Sequence, residues 1–80
     1  MKMTAAQCRA ARGLLGISQA ALAELSGVGH RTIAGFEAGE TQPMRANRTA
    51  IRTALEAAGV IFVAENGEGP GVRLRKARGE

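Results

Sequence analysis

The sequence contains no aspartate, tryptophan or tyrosine, and only one cysteine, one histidine and two phenylalanines among 80 residues. Each scarcity narrows the range of functions. With Phe36 and Phe62 the only aromatics, there is no platform for stacking unpaired bases, as single-strand readers require. Cys8 has no partner for a disulfide and no second thiol for a zinc site. No metal or cofactor is therefore expected, and an unpaired thiol without a signal sequence fits a reducing cytoplasm. No apolar run approaches the roughly 20 residues of a membrane span, so no membrane partner is expected. One His, one Cys and scattered Glu offer no acid–base or nucleophile constellation, and no enzyme is expected.

What is present is basic. The formal net charge is +4, and nine of the eleven basic residues are Arg. Arginine grips phosphates and guanine edges through a planar fork of donors. Nucleic acid binding and plain solubility are both compatible with this balance.

Local signals divide the chain into short helices followed by a β segment. Thr4 with Gln7 three residues on has capping-box spacing, and Ala5, Cys8, Ala11 and Leu15 recur on one helical face up to Gly16. Ser18 is a candidate N-cap and Gly27 a candidate stop around Leu22, Ala23 and Leu25. A third helix is expected between Gly29 and Gly39, with Ile33, Phe36 and Glu37 on one face. Residues 40–47, with Pro43, read as a loop, and residues 48–59 as a fourth helix with Ile51, Ala54, Leu55 and Ala58 on its apolar stripe. Val60–Val63, a run of turn formers and the alternating Val72–Arg75 then read as a β-hairpin.

The stretch QAALAELSGVGHRTIAGFE, Gln19 to Glu37, sets the architecture. Two helices approach at a steep angle only where a contact residue is small and the turn tolerates unusual backbone angles. Ala23 meets the first condition and Gly27 the second, leaving Leu22, Val28, Ile33 and Phe36 to fill the angle. An αα-hairpin in an ordinary bundle needs neither this spacing nor helices this short. The register resembles the helix-turn-helix of the phage-repressor and Cro class, the XRE family, over residues 5–58.

The resemblance implies a mainly α, lambda-repressor-like helix-turn-helix bundle of four to five short helices with a C-terminal hairpin. Residues 1–59 form the DNA-binding domain on this reading, 60–75 the hairpin and 76–80 a flexible tail. It also implies that Gln19 anchors to phosphate and that His30 and Arg31, with Thr32 beside them, read base edges of double-stranded DNA. Arg45, Arg48 and Arg52 become phosphate candidates, with a solvated face as the plain alternative. Arg12 and Glu37 become an ion pair joining the first helix to the end of the third. Three features depart from the usual pattern. Gly29 stands where Ser or Thr caps the recognition helix, Gly35 leaves a bare patch on its DNA-facing side, and Glu40 is acidic where a base would help.

The hairpin is expected to pair with that of a second copy through Val60, Ile61, Phe62, Val63, Val72 and Leu74, because an isolated two-stranded hairpin is marginal and its edge adhesive. A lid folded back on the monomer is the alternative. The function expected is a sequence-specific DNA-binding transcription regulator, a repressor acting as a homodimer. The competing reading is a protein-interaction module, an antitoxin or adaptor whose hairpin holds a partner protein.

Overall fold

The computed structural model describes residues 2–75; the expected flexible tail, residues 76–80, lies outside the described residues. Four helices, α1 (Ala5–Leu15), α2 (Gln19–Ser26), α3 (His30–Glu37) and α4 (Arg45–Ala57), precede strands β1 (Val60–Val63) and β2 (Gly71–Leu74). This is the mainly α bundle with a terminal hairpin that the sequence pattern implies.

Helix starts follow their local chemistry where a cap exists. The Thr4 hydroxyl accepts from the Gln7 backbone N–H at 3.0 Å, and the Gln7 side-chain oxygen accepts from the Thr4 N–H at 2.9 Å. Ser18 likewise caps α2 through the Ala21 N–H. Gly27 ends α2 with φ 74°, a left-handed backbone that costs an L side chain about 1–2 kcal/mol. A Cβ there would meet nothing within 4 Å. The glycine thus serves the turn's dihedral angles rather than a close helix approach.

The start of α4 corrects the sequence reading. The loop expected through Asn47 ends at Met44, and the helix begins at Arg45. Met44, the N-cap, is extended and makes no side-chain cap bond, so no residue type marks the boundary. Arg and Ala favour helix once the chain has cleared Pro43.

The core lies where α1, α2, α3, α4 and β1 converge. Cys8, Ala11, Leu22, Ile33, Ile51, Leu55 and Val60 are fully buried, with Met3, Val28 and Phe36 beside them. Met3 joins this core from outside any helix, a contribution that helical periodicity does not register. Burying one such Leu or Ile side chain contributes about 1.5–3 kcal/mol.

The strands are antiparallel, with Val60 opposite Leu74 and Val63 opposite Gly71. β2 is thus shifted by one residue from the expected Val72–Arg75, and the Arg75 N–H instead donates to the Gly59 carbonyl at 2.7 Å beyond the ladder. Alternation puts Val60, Phe62, Val72 and Leu74 on one face and Ile61, Val63 and Arg73 on the other. Val60 is part of the core, Phe62 and Val72 pack against it, and Leu74 remains about half exposed at 48%. Ile61 and Val63, facing away, are half-buried. The Gln7 amide donates to the carbonyls of Val63 and Gly71 at 3.3 and 3.0 Å, fastening the turn end of the hairpin to the first turn of α1.

Candidate nucleic-acid interface

α2 and α3, joined by the turn through Gly27 and Val28, form a compact two-helix unit. The exposed start of α3 carries His30 and Arg31, with Thr32 half-buried behind them. Gly29, its N-cap, is extended and makes no side-chain hydrogen bond. The first N–H groups of α3 are therefore not taken up by a capping side chain, and the positive end of the helix dipole favours an anion there.

The other end of α3 is tied into a polar cluster. The buried Glu37 carboxylate accepts from Arg12 Nε at 2.8 Å and Nη2 at 2.7 Å, the bidentate geometry that suits a guanidinium. It also accepts from the Gln19 amide at 3.0 Å and the Cys8 thiol at 3.1 Å. Arg9 donates to the Glu37 backbone carbonyl. Burial alone would raise the Glu37 carboxyl, but the bonds from Arg12, Gln19 and Cys8, with the Arg12 charge, hold it below the usual carboxylate range. Burial, and then the bond to Glu37 and its charge, push the Cys8 thiol up, so it stays protonated and donates. Nothing in the sequence pattern marks Arg9 or Cys8 for this cluster. Cys8 lies on the apolar stripe, and no spacing rule announces a thiol–carboxylate bond.

Gln19 uses both ends of its amide. While Nε2 donates to Glu37, Oε1 stands 3.2 Å from His30 Nε2. The first residues of α2 and α3 are thereby linked to each other and to the core carboxylate.

The three arginines after α3 and Arg31 line adjacent concavities, connected through Gln42. Arg45, Arg48 and Arg52 line a concavity with Lys2, Met3, Thr49 and Thr53 along one side of α4. Arg31 and Thr32 line a different one with Thr41, Gln42, Pro43, Met44 and Asn47. Arg45 is exposed, and Arg48 reaches the Gln42 side-chain oxygen at 3.5 Å. Arg52 bonds Glu56 at 3.1 Å and lies over the Phe62 ring, 5.5 Å from its centroid. Asn47 beside Arg31 escaped the sequence reading because the expected loop obscured its place in the first turn of α4.

Gly35 also needs correction. It leaves no bare patch, because the loop after α3 folds back onto it. The N–H groups of Glu40 and Thr41 both donate to the Gly35 carbonyl, and a Cβ at Gly35 would stand 2.8 Å from the Thr41 hydroxyl. The missing side chain makes room for Thr41.

Two short helices, a left-handed glycine between them and an open start to the second define a helix-turn-helix. The helix-turn-helix family model matches residues 9–47, from α1 into the first turn of α4, and the match supports a helix-turn-helix protein of the XRE type. A DNA-binding regulator is the class this supports. No curated protein is similar enough to the chain to count as a match. Among the described residues no helix is long and apolar enough to cross a membrane, and no three His, Cys, Asp or Glu residues gather in a group that could hold a metal.

Proposed function

We propose that the protein is a sequence-specific regulator of transcription that binds double-stranded DNA as a homodimer in the cytoplasm and represses by occupying its site. The observation that carries this reading is the exposed His30–Arg31 start of α3 in a family-matched helix-turn-helix. Arg31 reads a guanine through N7 and O6, with His30 and Thr32 on neighbouring base edges. Gln19, Arg45, Arg48 and Arg52 contact phosphates. Repression follows from occupancy: a bound domain excludes other proteins from its site.

Pairing of two copies through the hairpin sets two recognition helices about one DNA turn apart. Ile61 and Val63 on the face away from the core, with half-exposed Leu74 at the end of β2, support that role. Val60, Phe62 and Val72 serve the fold of the monomer as well.

Selection of bound fragments from random duplex DNA, followed by titration at increasing salt, tests the reading. One preferred sequence should emerge, and affinity should fall linearly on a log–log plot as counterions are released. Arg31→Ala should lose about 1–3 kcal/mol on that sequence and flatten the preference, whereas Arg48→Ala should weaken all sequences together. Replacing Ile61 and Val63 with Ser should leave a folded monomer in sedimentation. The acidic Glu40 favours the second reading, an antitoxin or adaptor. A co-purifying polypeptide, with no salt-dependent shift of duplex DNA, would establish that reading instead.

A further inference from the structure

We infer that the basic concavity along α4 is a binding site for a free linear oligophosphate, and that its occupant competes with DNA for the arginines there. The site stands on its own geometry. The competition rests on the DNA-binding reading above.

Two segments of the chain build the concavity. α4 contributes Arg45, Arg48 and Arg52, which recur at i, i+3 and i+7 and so emerge along one face of the helix. The N-terminal segment contributes the exposed Lys2 and also Met3, which is anchored in the core. The volume is about 600 Å³, within the range of small-ligand sites. Of the lining residues only Met3 is apolar and none is aromatic, so nothing there stacks a base or holds a hydrocarbon skeleton. The ligand that suits such walls is charged throughout.

The charge balance has one sign. Four cationic side chains line the concavity with a single carboxylate, Glu56, which is already bound to Arg52 Nε at 3.1 Å. Lys2, Arg45 and Arg48 make no ion pair among the described residues. Arg52 is oriented in advance, held by Glu56 and lying 5.5 Å from the Phe62 ring centroid, so less side-chain freedom is lost when an anion arrives. Thr49 and Thr53 add hydroxyl donors to the same wall.

The length of the row selects the ligand. Arg45 and Arg52 are seven residues apart, about 10 Å along the helix axis. A single phosphate or sulfate reaches only part of that row. A chain of linked phosphates runs along it and meets each guanidinium in turn. The same guanidinium groups do not serve this ligand and a DNA backbone at once. The two are therefore negatively coupled, each weakening the other by the same factor. Lys2 is not among the phosphate contacts proposed for DNA, so it separates the two ligands.

Two measurements on the full chain test this. The first is calorimetric titration with sodium tripolyphosphate at constant ionic strength. One ligand should bind per chain, with orthophosphate and sulfate at least about tenfold weaker. Lys2→Gln and Arg48→Gln should each weaken tripolyphosphate about five- to tenfold, whereas Arg73→Gln, the same charge removed from the exposed hairpin, should leave it unchanged. Equal affinity for sulfate, several ligands per chain, or an equal loss in Arg73→Gln means diffuse attraction to a basic surface and overturns the site. Should Arg48→Gln fail to fold, Arg45→Gln replaces it. The second measurement follows release of the selected duplex. Tripolyphosphate should displace wild type at concentrations where sulfate of equal ionic strength does not. Lys2→Gln should bind the duplex as wild type does, yet need about five- to tenfold more tripolyphosphate for release. Identical release in wild type and Lys2→Gln, or release matched by sulfate, overturns the competition. If no duplex binds, the DNA reading fails and the competition with it, while the calorimetric titration still judges the site.

Discussion

Two polar centres hold this small protein together, and they are built differently. At the end of α3, Glu37 gathers Arg12, Gln19 and Cys8 around a charge. Under the hairpin, Gln7 satisfies the Thr4 N–H and two strand carbonyls with a single neutral amide. The first draws α1, α2 and α3 together, and the second fastens the hairpin that follows them. The contrast teaches that the helix-turn-helix and the hairpin share one apolar core, to which Val60 belongs, but have separate polar anchors, one an ion pair and one a neutral amide. Damage to either should remain local.

The largest expected effect comes from Glu37→Ala. It strips the partner from Arg12 and leaves Gln19 and Cys8 without their acceptor, at about 3 kcal/mol, the lower end for a broken buried pair. The lower end applies because the Arg12 side chain keeps 20% of its surface exposed and can turn to water. Thermal melting measures the loss, and an unchanged Tm would show the cluster to be energetically idle.

The same cluster predicts a pH dependence. Glu37 is depressed in the folded state, so the folded protein binds fewer protons there than the unfolded chain does. Its contribution is fully present above the ordinary glutamate range, about 4.3. It fades as pH falls through the lower folded value. Chemical denaturation across that window should show a slope in wild type that is absent in Glu37→Gln.

Gln7→Ala should cost less, about 1–3 kcal/mol, by leaving the carbonyls of half-buried Val63 and Gly71 without their donor. Hydrogen exchange sharpens the comparison. Amides in β1 and β2 should open faster while those of α2 and α3 keep their protection. Uniform loosening of the whole chain would mean that the two centres act as one.

Gly35→Ala touches neither centre and should change stability least. The helix-propensity gain of about 1 kcal/mol is opposed by the approach to the Thr41 hydroxyl. In a Thr41→Ala background that opposition disappears, so the same substitution should then stabilise by up to about 1 kcal/mol. Equal effects in both backgrounds would remove Thr41 from the account.

The parts of the fold that could be read from the sequence are those marked by local chemistry. Thr4 with Gln7, Ser18 and Gly27 punctuate the chain within a turn of where they act, and Ile33 and Phe36 repeat at helical spacing. The features that escaped depend on groups distant in sequence. Nothing local about Gln7 says that the amide completing a capping box also serves Val63 and Gly71. The place of Gly35 is explained by Thr41, on a loop whose fold no motif encodes. The start of α4 has no capping side chain to announce it. In the candidate site, the order of residues at the start of α3 was legible, but the linkage of His30 through Gln19 to Glu37 required coordinates.

The Gln7 bonds also order events in time. They join residues 56 and 64 positions apart, whereas the Glu37 cluster closes loops of 18 to 29. Longer closures cost more chain entropy before they return any contact. Docking of the hairpin should therefore follow the barrier rather than define it. In stopped-flow measurements, Gln7→Ala should quicken unfolding and leave the refolding rate nearly untouched. During synthesis, the helix-turn-helix should assemble while the residues that will complete the hairpin are still being added.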